Sequence, residues 1–280
     1  MIQQESMAFL TALSTELNRG EVKLPSFPDA VIKIRDALER DDCDIDKIAT
    51  LASVETVLAT RLLKAANSAF YNPSGNSVSE LRGAVMRLGL KEVRNMAISF
   101  AVEQIFISEK LPGIAQSLAT LWRRGVAMSS IAYVVAKECS DVDPEKAFLA
   151  GLMHEVGKLY MLIKSGDFPG VEVDLDARSD DPDSWHPQIG RFIVEAWGFD
   201  DELLDTLQPS DGLEDQPPGG RATMLDVIYA SELAACSTPE IGINFSLPSF
   251  GRLELTLERL KELQPVIRER MDSMVESLAN

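Results

Sequence analysis

The chain has 280 residues, 45% of them hydrophobic, enough for one large domain or two modest ones around a real core. Its 44 acidic against 27 basic residues give a formal charge of -17, which repels phosphate backbones and anionic lipid and argues against nucleic acid or a membrane surface as partner. No run reaches the ~18 apolar residues of a spanning helix, and "MIQQESMAFL" lacks the basic-then-apolar order of a leader, so a cytoplasmic location is expected.

Taken in chain order, the signals are helical throughout, with no convincing alternation of apolar and polar residues. Ser26 and Asp29 form a capping box for a helix that puts Val31, Ile34 and Leu38 on one face. Asp44 caps a short helix with Ile45, Ile48 and Leu51, and Val54, Leu58, Leu62 and Ala65 then follow at helical spacing until "YNPSGNS". After Ser79 a helix runs to the glycine of "RLGL", and the next carries Val93, Ala97, Phe100 and Ile107 along one stripe. The basic stretch "RLGLKEVRNM" is too poor in Arg, Lys, Asn and Gln for a recognition helix.

Pro112 and Gly113 mark the first plausible boundary, giving subdomains at 1–112 and 113–280. "LWRRGVAMSSIAYVVAKE" reads as a helix, and Asp143 with Pro144 caps and opens another. Residues 165–184 hold seven carboxylates and one arginine without periodicity, a solvated acidic loop rather than a spaced cation-binding loop. "PQIGRFIVEAWG" and "TMLDVIYASELAA" are helices separated by a loop at 208–220. The tail carries Leu253, Leu257 and Leu260, then Ile267, Met271 and Met274 after Pro265, for packing within the chain or in a homodimer. Cys43, Cys139 and Cys236 are scattered without CxxC spacing and are expected to be buried thiols.

The segment "FLAGLMHEVGKLYML" carries the chemistry. If 144–164 is one helix, Leu152, Val156, Leu159 and Ile163 form an apolar stripe and His154 faces another side, with Gly151 and Gly157 one turn away on either hand. Interior glycines cost about 1 kcal/mol each against alanine, so they serve either close helix approach or space for a ligand. Adjacent His154 and Glu155 can both reach one ion if neighbouring helices supply more ligands, and the plainer reading is a core histidine beside a glutamate bridged to Lys158.

Several segments together resemble the HDOD family, the HD-related output domain, over roughly residues 20–235. "LPSFPDAV", "LATRLLKAANSAFY" and "AVMRLGLKEVRNMAI" look like its first half, and "FLAGLMHEVGKLYML" and "HPQIGRFIVEAWGF" like its second. The resemblance implies an all-α fold, an N-terminal helical subdomain packed on an HD-like one. In the catalytic relatives a first metal-binding histidine falls at Arg124 of this chain, the histidine and carboxylate dyad at His154 and Glu155, and a third histidine at His186. The paired histidines fall near Gln208 and Pro209, and the last aspartate near Ser231.

Arginine, glutamine, proline and serine leave too few donors for a two-ion phosphohydrolase centre. No metal or other cofactor is therefore expected, with His154, Glu155 and His186 as the residual candidates, and Arg124 is expected to pair with Glu155 in the metal's place. By resemblance the function is a non-catalytic bacterial signalling module that contacts signalling proteins of two-component or cyclic di-GMP networks or senses a ligand. Asn67, Tyr71, Arg124, His154, Glu155 and His186 are the expected groove for ligand or partner, although capping suffices to explain Asn67. The alternatives are a residual metal-dependent phosphohydrolase and a nucleotide-binding module that uses Arg123 and Arg124 on phosphate.

Overall fold

The computed structural model describes residues 2–19, 29–38, 43–108, 113–168, 170–179, 184–208, 213, 217, 219–236 and 243–278. Among these, the secondary structure is helical and no strand is present, as the periodicity predicts. No helix among them is long and apolar enough to cross a membrane. The capping box at Ser26 and the proline at 112 lie outside the described residues.

The chain divides into two compact units, Ser26–Ile105 with Glu262–Asn280, and Met1–Pro25 with Phe106–Lys261. A single cut at residue 112 does not reproduce this division, because each end of the chain groups with the other half. The smaller unit contains α2 (Asp29–Leu38), α3 (Ile45–Ser53), α4 (Thr56–Asn67) and α5 (Leu81–Leu88), most of α6 (Leu90–Ser108), and the greater part of α14 (Leu257–Leu278). Asp44 accepts from the Asp46 backbone N–H at 3.2 Å and so caps α3, while Gly89 ends α5 at φ 81°, a conformation that favours glycine. The stripe is buried at Ile48, Leu58, Leu62 and Ala65, but Val54 ends α3 exposed, because the chain turns before α4 begins.

The C-terminal residues join the smaller unit through a buried charge. Arg270 of α14 donates to Glu92 of α6 at 3.1 Å and to the Tyr71 hydroxyl at 3.0 Å, and its guanidinium lies 5.4 Å from the centre of the Phe70 ring. Ser273 and Ser68 share a hydrogen bond at 3.1 Å. Burial, first, and the Glu92 carboxylate push the Tyr71 hydroxyl far above its ordinary range, so it stays protonated. Ile267 and Met274 are buried here, so this part of the tail packs within the chain.

The larger unit contains α1 (Ile2–Arg19), α7 (Ala115–Cys139), α8 (Pro144–Met153), α9 (Val156–Ser165), α10 (His186–Ala196), α11 (Asp201–Asp205), α12 (Met224–Cys236) and α13 (Pro248–Arg252). The sequence reading does not anticipate α1 or α11. Phe9 of α1 meets Phe168 edge to face with centroids 5.5 Å apart, and Glu16 accepts from the Tyr160 hydroxyl at 2.6 Å and pairs with Lys164 at 2.7 Å. Asp143 caps α8 by accepting from the Glu145 N–H at 2.9 Å, with Pro144 in the first turn. Asp226 of α12 is fully buried and accepts from Arg252 at 3.0 Å, Ser249 at 2.8 Å and the Thr223 backbone at 2.8 Å. Cys43, Cys139 and Cys236 are half-buried rather than fully buried.

Candidate functional site

The predicted helix over 144–164 is interrupted where the chemistry lies. α8 ends at Met153, α9 begins at Val156, and His154 and Glu155 form the junction, with Glu155 at ψ -2°. The apolar periodicity runs through the break and conceals it. Nearly every side chain from Ala147 to Tyr160 is buried, so His154 looks into packed protein.

The two glycines allow close approach. A Cβ on Gly151 would stand 2.8 Å from the Ser129 Cα, so α7 and α8 pack at backbone distance. A Cβ on Gly157 would overlap the His186 carbonyl oxygen and stand 2.9 Å from the Gly190 nitrogen. Gly157 therefore brings the first turn of α10, and with it His186, against α9. His186 opens α10 ahead of Pro187, and its Nδ1 pairs with the Ser184 hydroxyl. That partner leaves Nε2 as the ring atom with no protein hydrogen bond.

The His154 and His186 rings stand edge to face, 6.1 Å between centroids. Beside them stands Glu232 of α12, whose Oε1 lies 3.3 Å from His154 Nε2. Both Glu232 oxygens are also held by Ser179, from its backbone N–H at 2.9 Å and from its hydroxyl. One ligand atom from each of His154, His186 and Glu232 lies within 4.8 Å of the others. Their exposures are 3%, 2% and 1%, and Glu155 and Lys158 are each at 1%.

Burial, first, and then the charge interactions with Lys158 and His154 push His186 down to about 2, so it is neutral at any ordinary pH. Burial alone would raise Glu232, but His154 and the two Ser179 bonds outweigh it and hold this carboxylate well below its usual range. A neutral imidazole with a free Nε2 beside an ionised carboxylate is a donor set in the protonation state that metal binding needs.

The expected residues do not all converge. Glu155 faces Lys158 at 3.4 Å, as the bridging reading has it, and not Arg124. Arg124 donates to the Leu175 carbonyl and, at 2.6 Å, to Asp176, so the expected Arg124–Glu155 pair gives way to contacts with the acidic loop. Gln208 is exposed and donates to Asp205 at 2.9 Å, Pro209 lies outside the described residues, and Ser231 donates to the Val227 carbonyl of its own helix at 2.6 Å.

Asn67 and Tyr71 belong to the smaller unit. Asn67 is taken up by Leu63 and Val78, exchanging two bonds of 2.8 Å with Val78. The sequence reading misses Glu232 and Ser179. The only signal for Glu232 is its place one residue after Ser231, where the resemblance puts the last acidic ligand.

The fit to metal is therefore specific. A two-ion centre does not fit, because Glu155 faces the Lys158 ammonium at 3.4 Å, Gln208 is exposed and Ser231 bonds back to its own helix. One ion fits, on two imidazoles and one carboxylate.

An all-α fold whose helix junction carries a His-Glu dyad facing a second histidine is that of an HD-like domain. The HDOD domain profile matches residues 24–211, and the chain belongs to the HDOD family. A crystal structure from Shewanella amazonensis SB2B, whose name proposes a metal-dependent phosphohydrolase, is similar at TM-score 0.73 and 22% identity, covering 98% of this chain and 99% of that one. An HDOD domain protein of unknown function from Geobacter sulfurreducens is similar at TM-score 0.67 and 22% identity, covering 96% of this chain and 100% of the other. A protein of Treponema pallidum (strain Nichols) is 22% identical over 244 residues, which span 82% of this chain but 46% of the relative, so the chain matches less than half of that protein's length.

Proposed function

We propose that the protein is a non-catalytic signal-transduction module of the bacterial cytoplasm, acting through contacts with signalling proteins of a two-component or cyclic di-GMP network or through ligand sensing. The observation that carries this reading is Lys158. The chain's own ammonium, buried at 3.4 Å from Glu155, neutralises the dyad carboxylate that a second ion would need. Two-metal hydrolysis requires both ions to clamp the attacking and leaving oxygens, and one of them has no carboxylate here. The histidines and Glu232 are also closed to solvent, so a phosphoester has no approach to them. The phosphate-clamp reading is weakened by the divergence of its arginines. Arg123 donates back to Ala119 of its own helix at 3.2 Å, while Arg124 turns to Asp176.

The test is hydrolysis of bis-p-nitrophenyl phosphate and of cyclic di-GMP by the purified chain, with Mn2+, Fe2+ or Zn2+ supplied, beside His154→Ala. The expected rate equals that of the variant. Turnover that disappears in His154→Ala would overturn the proposal.

A further inference from the structure

We infer that the smaller unit carries a docking groove for an arginine-bearing amphipathic helix of a partner protein, and that α14 is the chain's own occupant of that groove, a latch that the partner helix displaces. The groove belongs to the smaller unit and the histidine pair to the larger, so the inference goes beyond the signalling reading and stands whether or not the larger unit turns over a phosphoester.

Within the smaller unit α14 buries Leu263, Ile267, Arg270 and Met274, spaced four, three and four apart like the inner face of a coiled coil. Three are apolar, and the third place is held by an arginine at 1% exposure. Its guanidinium meets a complete receptor. Glu92, at 3% exposure, accepts at 3.1 Å, the Tyr71 hydroxyl accepts at 3.0 Å, and the Phe70 ring lies at 5.4 Å, itself edge to face with Tyr71 at 4.7 Å. An ammonium would lose the planar fork, and an apolar side chain would leave Glu92 buried without a counter-charge. One turn further on, the Ser68–Ser273 hydrogen bond fixes the register.

A tethered helix does not need such discrimination. The tether alone keeps it near the groove at a roughly millimolar effective concentration, and a buried ion pair often stabilises no better than apolar side chains of the same volume. A charged residue in an apolar stripe instead selects partner and register. The selection therefore acts on helices that compete with α14, and the partner it fits carries an arginine with apolar residues three positions before and four after it. The backbone suits α14 to release. Gln264, Val266, Arg268, Glu269 and Asp272 are exposed, so α14 lies on the surface and is held from one side. Pro265 offers no N–H to the Lys261 carbonyl, so the helix lacks a bond where the chain passes from the larger unit into the smaller. Three residues ahead of α14, Glu254 has φ 50°, a conformation that costs an L side chain energy.

The probe is a fluorescent peptide with the sequence of α14, titrated by anisotropy against the full-length wild type, Arg270→Met, Arg270→Lys and Glu92→Leu/Arg270→Met. Arg270→Met weakens the latch and leaves Glu92 in place, so it should bind the peptide at least about tenfold tighter than the wild type, whose own latch competes; tenfold is the equivalent of one charge-assisted hydrogen bond. Arg270→Lys keeps Glu92 paired, and with it the fold, but loses the fork, and it too should bind more tightly than the wild type. The double variant, without the carboxylate, should bind at least about tenfold more weakly than Arg270→Met, and so should the same peptide with Arg270→Met when offered to the Arg270→Met chain. No binding to either single variant, or equal affinity for the two peptides, would overturn the inference. Light scattering of the wild type alone should show a monomer. A dimer that Arg270→Met abolishes would make the occupant a second copy of α14 and overturn the assignment to a partner protein.

Discussion

Gly157 and His186 meet through their backbones: the carbonyl of His186 occupies the space where a Gly157 side chain would begin. The contact sets the separation of α9 and α10 at the level of the histidine pair. Gly157→Ala should therefore push α10 outward and cost roughly 3 kcal/mol, the upper part of the range for forced overpacking, since the obstacle is main chain and cannot rotate away. Urea denaturation checks this, with Gly219→Ala as control, because nothing lies within 4 Å of a Cβ at Gly219. A wild-type midpoint for Gly157→Ala would contradict the packing described.

The pair Glu92–Arg270 fastens α14 within the smaller unit with both side chains buried. Removing one partner strands a charge in the interior, so Glu92→Leu should lose about 3–5 kcal/mol, whereas the double variant Glu92→Leu/Arg270→Met should recover much of that loss. Chemical denaturation of the wild type, Glu92→Leu, Arg270→Met and the double variant gives the coupling directly. Equal losses in the single and double variants would mean that the charges are not interdependent.

Asp226 supplies the acid-side test. Although burial works the other way, Arg252, Thr223 and Ser249 hold its carboxyl below the ordinary 3.8. A depressed folded value means stabilisation that is complete above the unfolded value and lost as pH falls through the folded one, hence in the window below about 3.8. Between pH 5 and pH 3 the urea midpoint of the wild type should fall further than that of Asp226→Asn, which lacks the charge throughout. Parallel slopes for the two proteins would exclude Asp226 as the titrating group.

Local chemistry was legible in the sequence where it is decided within a few residues. Asp44, Asp143 and Pro144 act at the helix starts they announce, and Gly89 ends α5, because caps depend on short-range hydrogen bonds. The Lys158–Glu155 bridge follows from one turn of spacing. The break at His154–Glu155 was not legible, since the buried pattern is continuous across it and tertiary packing decides it. Glu232 and Ser179 were hidden for another reason: 53 positions separate them in sequence, and only the path of the acidic loop brings them together. α1 has its meaning from Phe168, Tyr160 and Lys164, partners that no reading of residues 2–19 alone supplies.

Ser179 clasps Glu232 with both its amide and its hydroxyl, and the residues leading up to it, 170–178, are exposed or half-buried. Breaking that clasp would strip a buried carboxylate of two hydrogen-bond donors at once. The acidic stretch before α10 is thereby anchored to α12 through an interior charge rather than left as a solvated loop.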